Sequence, residues 1–108
     1  MPFQSFPSMN VAIRCRNGSK IKRLLLALGI VGETFDNQLR QDWHIIITDQ
    51  ELFETIPSQY LRIVLSDHPL RSSHGQVIRI PQTLDLTMLY FALVNAAKAL
   101  GLQHSPAY

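Results

Sequence analysis

The chain has 108 residues, of which 46% are hydrophobic and 17% are charged. This length and composition predict one globular domain with a modest hydrophobic core and exclude an intrinsically disordered chain. The formal net charge of +2 comes from dispersed basic residues, so the charge gives no reason to expect nucleic acid as a partner.

Runs of apolar and β-branched residues predict a sheet of four or five strands. The run Ile45-Ile46-Ile47 has no polar alternation, which is typical of a central strand that is covered on both faces. Asp49 falls at the carboxyl end of this strand, where ligands and chemistry gather in open α/β sheets. In chain order, the predicted strands cover residues 9–15, 30–35, 43–49, 60–66 and 77–80.

A first helix is predicted from Lys20 to about Leu28, with Ser19 as its N-cap and Gly29 marking its end. Four residues share its predicted core face. They are Ile21, Leu24, Leu25 and Leu28. The opposite face is predicted to hold Lys22, Arg23, Leu26 and Ile30.

A longer helix is predicted over residues 84–100, with Thr83 or Asp85 as its N-cap and Gly101 at its end. Leucines and an alanine form its inner stripe, whereas the opposite face mixes polar residues with apolar ones. These outer apolar residues are Met88, Phe91 and Val94. A shorter helical segment is predicted within residues 50–56, with Asp49 as a candidate N-cap.

These elements predict a single α/β domain with a central, mainly parallel sheet and two main helices on one of its faces. Residues 67–76 have the composition of a loop, so the other face is predicted to be thinly covered. Ten residues are barely enough for a parallel crossover, which leaves the direction of the last strand open. Linker-like ends at residues 2–7 and 104–108 suggest that residues 1–108 form one module of a longer protein.

Few of the potentially reactive side chains have a spacing that indicates chemistry. A single cysteine, Cys15, excludes an internal disulfide and is expected to be a buried thiol without an activating base. The four histidines show no metal-ligand spacing, so neither a metal nor a cofactor is expected. The longest apolar runs are too short to span a bilayer, so no direct membrane insertion is expected.

The order of strands and helices resembles the receiver domains of two-component signalling. In that family the phosphoacceptor Asp tips the third strand and a Ser or Thr tips the fourth, and Asp49 and Ser66 match these positions. The family also has an acidic pair after the first strand and a Lys before a Pro at the fifth. This chain instead has Arg14-Cys15-Arg16 at the first place and Ile80-Pro81 at the second.

These departures concern the chemistry itself. Magnesium needs carboxylate oxygens, and phosphoryl transfer to an aspartate depends on the metal and the lysine to offset developing charge. Two arginines in place of two carboxylates would repel the metal. The resemblance therefore implies a degenerate receiver that is not an enzyme, with a loop at residues 67–76 replacing a helix.

Within that group, the chain is similar to the α/β/loop domains of the Rcs phosphorelay. The similarity is carried by the whole chain, and above all by residues 43–50, WHIIITDQ, and residues 61–69, LRIVLSDHP. It implies a cytoplasmic domain of a bacterial inner-membrane protein, placed ahead of a histidine phosphotransfer domain. The implied role is to bind the response regulator RcsB and to assist phosphotransfer between that domain and RcsB.

A receiver-like layout places the first and last helices side by side, so their outer apolar residues are candidates for one partner-binding patch with a basic rim. We call this set the helical patch. It consists of Lys22, Arg23, Leu26, Met88, Phe91 and Lys98. The alternative for these side chains is that Phe3, Phe6 or the loop at residues 67–76 covers them.

Two other functions stay open on the sequence. One is a phospho-accepting receiver that uses Asp49 despite its altered site. The other is a structural spacer between a kinase-like region and the phosphotransfer domain, with no affinity for a relay protein.

Overall fold

The computed structural model describes residues 9–36, 38–70 and 75–101. Their strands form a five-stranded sheet in the order β2-β1-β3-β4-β5, and every neighbouring pair is parallel. The predicted α/β fold with a receiver-like strand order is confirmed, and the open direction of the last strand is settled as parallel. The strands are β1 (Val11–Arg14), β2 (Gly32–Thr34), β3 (Ile45–Asp49), β4 (Leu61–Leu65) and β5 (Val77–Ile80).

Strand β3 is the buried centre of this sheet. Its three isoleucines have no exposed surface, as expected for a strand covered on both faces. Ile47 pairs with Ile13 of β1 and with Ile63 of β4, so the apolar registers of three strands coincide. Ile45 and Ile47 face one core and Ile46 faces another, because side chains alternate along a strand.

Two helices cover one face of the sheet: α1 (Gly18–Ala27) and α2 (Leu86–Ala99). Helix α1 packs over β1 and β2, α2 packs over β4 and β5, and the two helices contact each other. Both contribute to a single core, α1 through Ile21 and Leu25 and α2 through Leu89 and Leu93. The predicted pairing of the first and last helices on one face is confirmed.

The N-cap predicted for the first helix is wrong. Helix α1 begins at Gly18 after Asn17, so Ser19 lies inside the first turn, and the cap makes no side-chain hydrogen bond. For α2 the two candidates are resolved, since Asp85 Oδ1 accepts a hydrogen bond from Met88 N at 2.8 Å.

The placement of Ile30 on the outer face of the first helix is also wrong. The helix ends at Ala27, and Gly29 takes a φ of +81°, which turns the chain back toward the sheet. Gly29 N then donates to Leu26 O, and Ile30 N donates to Leu25 O at 2.9 Å. This closing turn carries Ile30 into the core rather than to the surface.

The second face of the sheet is covered by connecting segments. Trp43, Ile56 and Tyr60 pack there against Ala12 and Ile46, with Phe35 at the margin. Among the described residues this face carries no α-helix, only a 3₁₀ turn at Phe53–Thr55. The predicted thin cover is therefore confirmed for these residues, and positions 71–74 of the predicted loop lie outside the described residues.

Helix α1 packs closely against the edge strand β2 at Gly32. A Cβ added there would lie 2.6 Å from Leu25 Cδ1 and 2.9 Å from Ile13 Cδ1, and both side chains are buried. We expect Gly32→Ala to lower the free energy of unfolding by about 1–3 kcal/mol, because the core must repack around the added methyl. Urea denaturation measures this change.

Gly18→Ala is the matched control, since its Cβ would meet ordinary contacts at 3.4 Å and 3.6 Å in the first turn of α1. We expect its free energy of unfolding to stay within about 0.5 kcal/mol of the wild-type value or to rise. Equal losses in both variants would contradict the tight contact at Gly32.

Candidate functional site

The carboxyl ends of β1 and β3 border a cavity of about 130 Å³. From β1 the chain moves to β2 on one side, and after β2 it crosses to β3 on the other side of β1, so the strand order reverses here. Ligand sites of open α/β sheets lie at such a point. The cavity is lined by Cys15, Arg16, Asn17, Asp49, Gln50, Glu51, Leu65 and Gln82.

Asp49 lies at the centre of this edge, and both of its carboxylate oxygens accept backbone hydrogen bonds. Oδ1 accepts from Leu52 N at 3.0 Å, and Oδ2 accepts from Arg16 N at 3.2 Å. The first bond starts the turn after β3. The predicted N-cap role of Asp49 is wrong, because the helical segment that follows is only a 3₁₀ turn at Phe53–Thr55 with Leu52 as its N-cap. The second bond ties the end of β3 to the connection between β1 and α1. Asp49 therefore acts as a clamp between two loops.

The two arginines after β1 direct their side chains to different partners. The Arg14 guanidinium donates to Asp36 O and lies 5.9 Å from the centroid of the Phe35 ring. Arg16 forms an ion pair with Glu51, and both side chains are exposed, so the pair adds little stability. Within the described ranges, no group of three or more His, Cys, Asp or Glu side chains could hold a metal ion.

Ser66 is buried at the end of β4 and is bonded within the chain. Its Oγ lies 2.8 Å from His68 O and 2.9 Å from Gln50 Oε1, and it accepts a hydrogen bond from His68 N at 3.1 Å. One hydroxyl proton can serve only one of the two oxygens at a time. The side chain is thus occupied in shaping the start of the loop after β4.

Cys15 has the environment of an unreactive thiol. Burial raises its pKa from 9.0 to about 12, and the negative charge of Asp49 adds to the effect. Its thiol also donates a weak hydrogen bond to Ile47 O, with Sγ 3.7 Å from that oxygen. Because the thiolate is the reactive form, this site favours the inert state.

The helical patch lies on the solvent-exposed side of the two helices. Its apolar members are unusually accessible for large side chains: Leu26 is 52% exposed, Met88 42% and Phe91 58%. Its basic members Lys22, Arg23 and Lys98 are exposed as well. Along α2, Met88, Phe91 and Lys98 follow one helical stripe, and the Phe91 ring packs edge-on against Tyr90 at 5.4 Å.

All six residues of the helical patch are thus exposed, and they lie on two helices that contact each other. Phe3 and Phe6, the candidate cover, lie outside the described residues. One feature that the sequence reading missed is the buried guanidinium of Arg62 in β4. The available signal was a lone arginine inside an otherwise apolar strand.

We expect Cys15 to react slowly with iodoacetamide in the folded protein. The rise in pKa from 9.0 to about 12 lowers its thiolate fraction at pH 8 about a thousandfold. Asp49→Asn removes the charge that contributes to this rise, so alkylation should become faster. Glu51→Gln, at the same edge, is the control and should leave the rate unchanged. A rate that is equal in wild type and Asp49→Asn would contradict the assigned role of the Asp49 charge.

A scan against protein-family models finds no matching family, and comparisons with curated proteins and with solved structures give no significant match. No helix within the described ranges is both long and apolar enough to cross a bilayer.

Proposed function

We propose that this domain is a non-catalytic protein-interaction module of a bacterial two-component phosphorelay, an α/β/loop domain of the RcsD type. In this role it binds the response regulator RcsB and assists phosphotransfer between RcsB and a histidine phosphotransfer domain in cis. The parent protein would be anchored in the inner membrane, with this domain in the cytoplasm.

The observation that carries the proposal is the exposure of Leu26, Met88 and Phe91 on two helices in contact. Exposing large apolar side chains to water is unfavourable, and such groups with a charged surround mark protein contacts. An aromatic ring and a methionine are the side chains that protein interfaces favour at their centre.

The charged members of the helical patch specify the kind of partner. Lys22 and Arg23 on α1 and Lys98 near the end of α2 are all exposed cations. Such a rim attracts an acidic surface, raising the association rate and the specificity more than the affinity. The proposed contact on RcsB is accordingly apolar with an acidic border.

The carboxyl edge of the sheet supports a non-catalytic role. Asp49 has both oxygens engaged by backbone N–H groups, and the Arg16 side chain at this edge pairs with Glu51. Strand β5 ends in Ile80 where a receiver has its lysine, and β1 is followed by arginines where a receiver binds its metal. The metal-binding carboxylates and the lysine that offset charge in a receiver's phosphoryl transfer are thus replaced at these two positions.

One observation favours the alternative, a receiver phosphorylated on Asp49: the residue does tip the central strand. We expect no Mg²⁺-dependent phosphorylation when the domain is incubated with acetyl phosphate and analysed by intact mass spectrometry. The physical reason is the missing metal carboxylates. A phosphorylated species that requires Mg²⁺ and disappears in Asp49→Asn would replace our proposal with the receiver function.

The interaction itself is tested by titrating the ¹⁵N-labelled domain with unlabelled RcsB and following the backbone amides. We expect shifts to concentrate on α1 and α2. Phe91→Ala and Leu26→Ala should each weaken binding about tenfold, because they truncate side chains at the proposed centre of the interface. Leu39→Ala is the matched control, since Leu39 is an exposed leucine outside the helical patch, at 41% exposure.

The outcomes separate the readings. Shifts around Asp49 and Ser66 without loss of affinity in Phe91→Ala would move the binding surface to the carboxyl edge. The absence of shifts at a high RcsB concentration would contradict the interaction and favour the function of a structural spacer. Equal weakening by Leu26→Ala and Leu39→Ala would show that neither leucine defines a specific patch.

A further inference from the structure

Arg62 is a charged side chain in the middle of the sheet, and it is only 4% exposed. It belongs to β4, pairs in register with Ile46 of β3 and Val77 of β5, and faces the thinly covered side. Its guanidinium carbon lies 4.7 Å from the centroid of the Phe53 ring, and Nη1 donates to Ile56 O at 3.4 Å. One face of the guanidinium is thus stacked on Phe53, and one nitrogen, Nη1, is hydrogen-bonded.

The remaining two nitrogens, Nε and Nη2, are buried and have no hydrogen-bond partner among the described residues. The N–H groups of these two nitrogens point in the same direction, from one edge of the planar guanidinium. This edge matches two oxygens of one carboxylate or phosphate. Burial lowers the pKa of Arg62, yet arginine keeps its proton at neutral pH, so a charged fork is left without its acceptor.

We propose that the Nε and Nη2 edge of Arg62 is a binding site for an oxyanion that presents two oxygens, a phosphate or a carboxylate. A buried cation with unmet hydrogen bonds is costly to a fold, and an anion on this edge would satisfy both donors and neutralise the charge. Phe53 and the Ile56 carbonyl hold the guanidinium plane in place for it.

Gly75 forms the cover of this site. A Cβ on Gly75 would lie 3.2 Å from Arg62 Nη2 and 2.6 Å from Ser58 O, so glycine lets two backbone segments close directly over the free edge. Its φ of +78° also favours glycine. The edge is closed in this structure, so the proposed binding requires the backbone at Gly75 to separate from Ser58.

The inference is independent of the helical patch, because Arg62 faces the opposite side of the sheet from α1 and α2. It predicts a property of the isolated domain that requires no protein partner. Binding of RcsB and binding of an oxyanion can therefore succeed or fail separately.

The test is an NMR titration of the ¹⁵N-labelled domain with sodium phosphate and, separately, with sodium acetate, with sodium chloride matching the ionic strength. We expect the Arg62 Nε resonance to shift and its proton to exchange more slowly with water at millimolar anion. Phosphate acting at lower concentration than acetate assigns a phosphoryl ligand, and the reverse order assigns a carboxylate. An unchanged Nε resonance with both anions overturns the proposal.

Thermal unfolding gives a second readout. At ten times its dissociation constant, a ligand of the folded state raises the folded-to-unfolded ratio about elevenfold, which appears as a higher Tm. Arg62→Lys keeps a cation but removes the fork, so this rise should be lost.

Arg79→Lys is the control, because Arg79 is an exposed arginine on the adjacent strand that donates to Ser66 O. It should retain the full rise in Tm. If Arg62→Lys does not fold, the wild-type Nε resonance alone decides. A rise that persists in folded Arg62→Lys overturns the site.

Discussion

The structure depends on the burial of β3 from both sides. Ile45, Ile46 and Ile47 have no exposed surface, so one strand must have a hydrophobic layer above it and another below it. Parallel pairing with β1 and β4 follows, because the connections then run over the faces and cover them. The two layers are unequal: packed helices form one, and aromatic side chains from connecting segments form the other.

Parallel pairing also determines where chemistry would be possible, since it brings the ends of β1, β3 and β4 to one edge. In this chain that edge is stabilised by its own hydrogen bonds. Asp49 holds the backbone N–H groups of Leu52 and Arg16, and Ser66 is bonded to His68. Groups that serve as loop clamps are poorly suited to reach an external substrate. The proposed function therefore relies on the outer surface of α1 and α2.

The sequence predicted the features that depend on local patterning. The run of isoleucines indicated the central strand, and Asp85 was one of two predicted caps for the last helix. Ser19 and Ile30 were misplaced because helix ends depend on competing backbone geometries, here the Gly29 turn that returns Ile30 to the core. The direction of β5 could not be read from its residues, because it depends on the path of the connection from β4 to β5.

The environment of Arg62 could not be predicted either, since it combines Phe53 and Ile56 of the connection after β3 with Gly75 of the connection before β5. Stability alone gives no account of it. Replacing a buried charged group by an apolar side chain of similar volume is often neutral or stabilising, so a leucine would serve this strand at least as well. A stacked guanidinium with one nitrogen bonded and its two-nitrogen edge unpaired is instead the arrangement that a ligand completes. The thin second layer supports this account, because opening a loop there disturbs less packing than separating a helix from the opposite face.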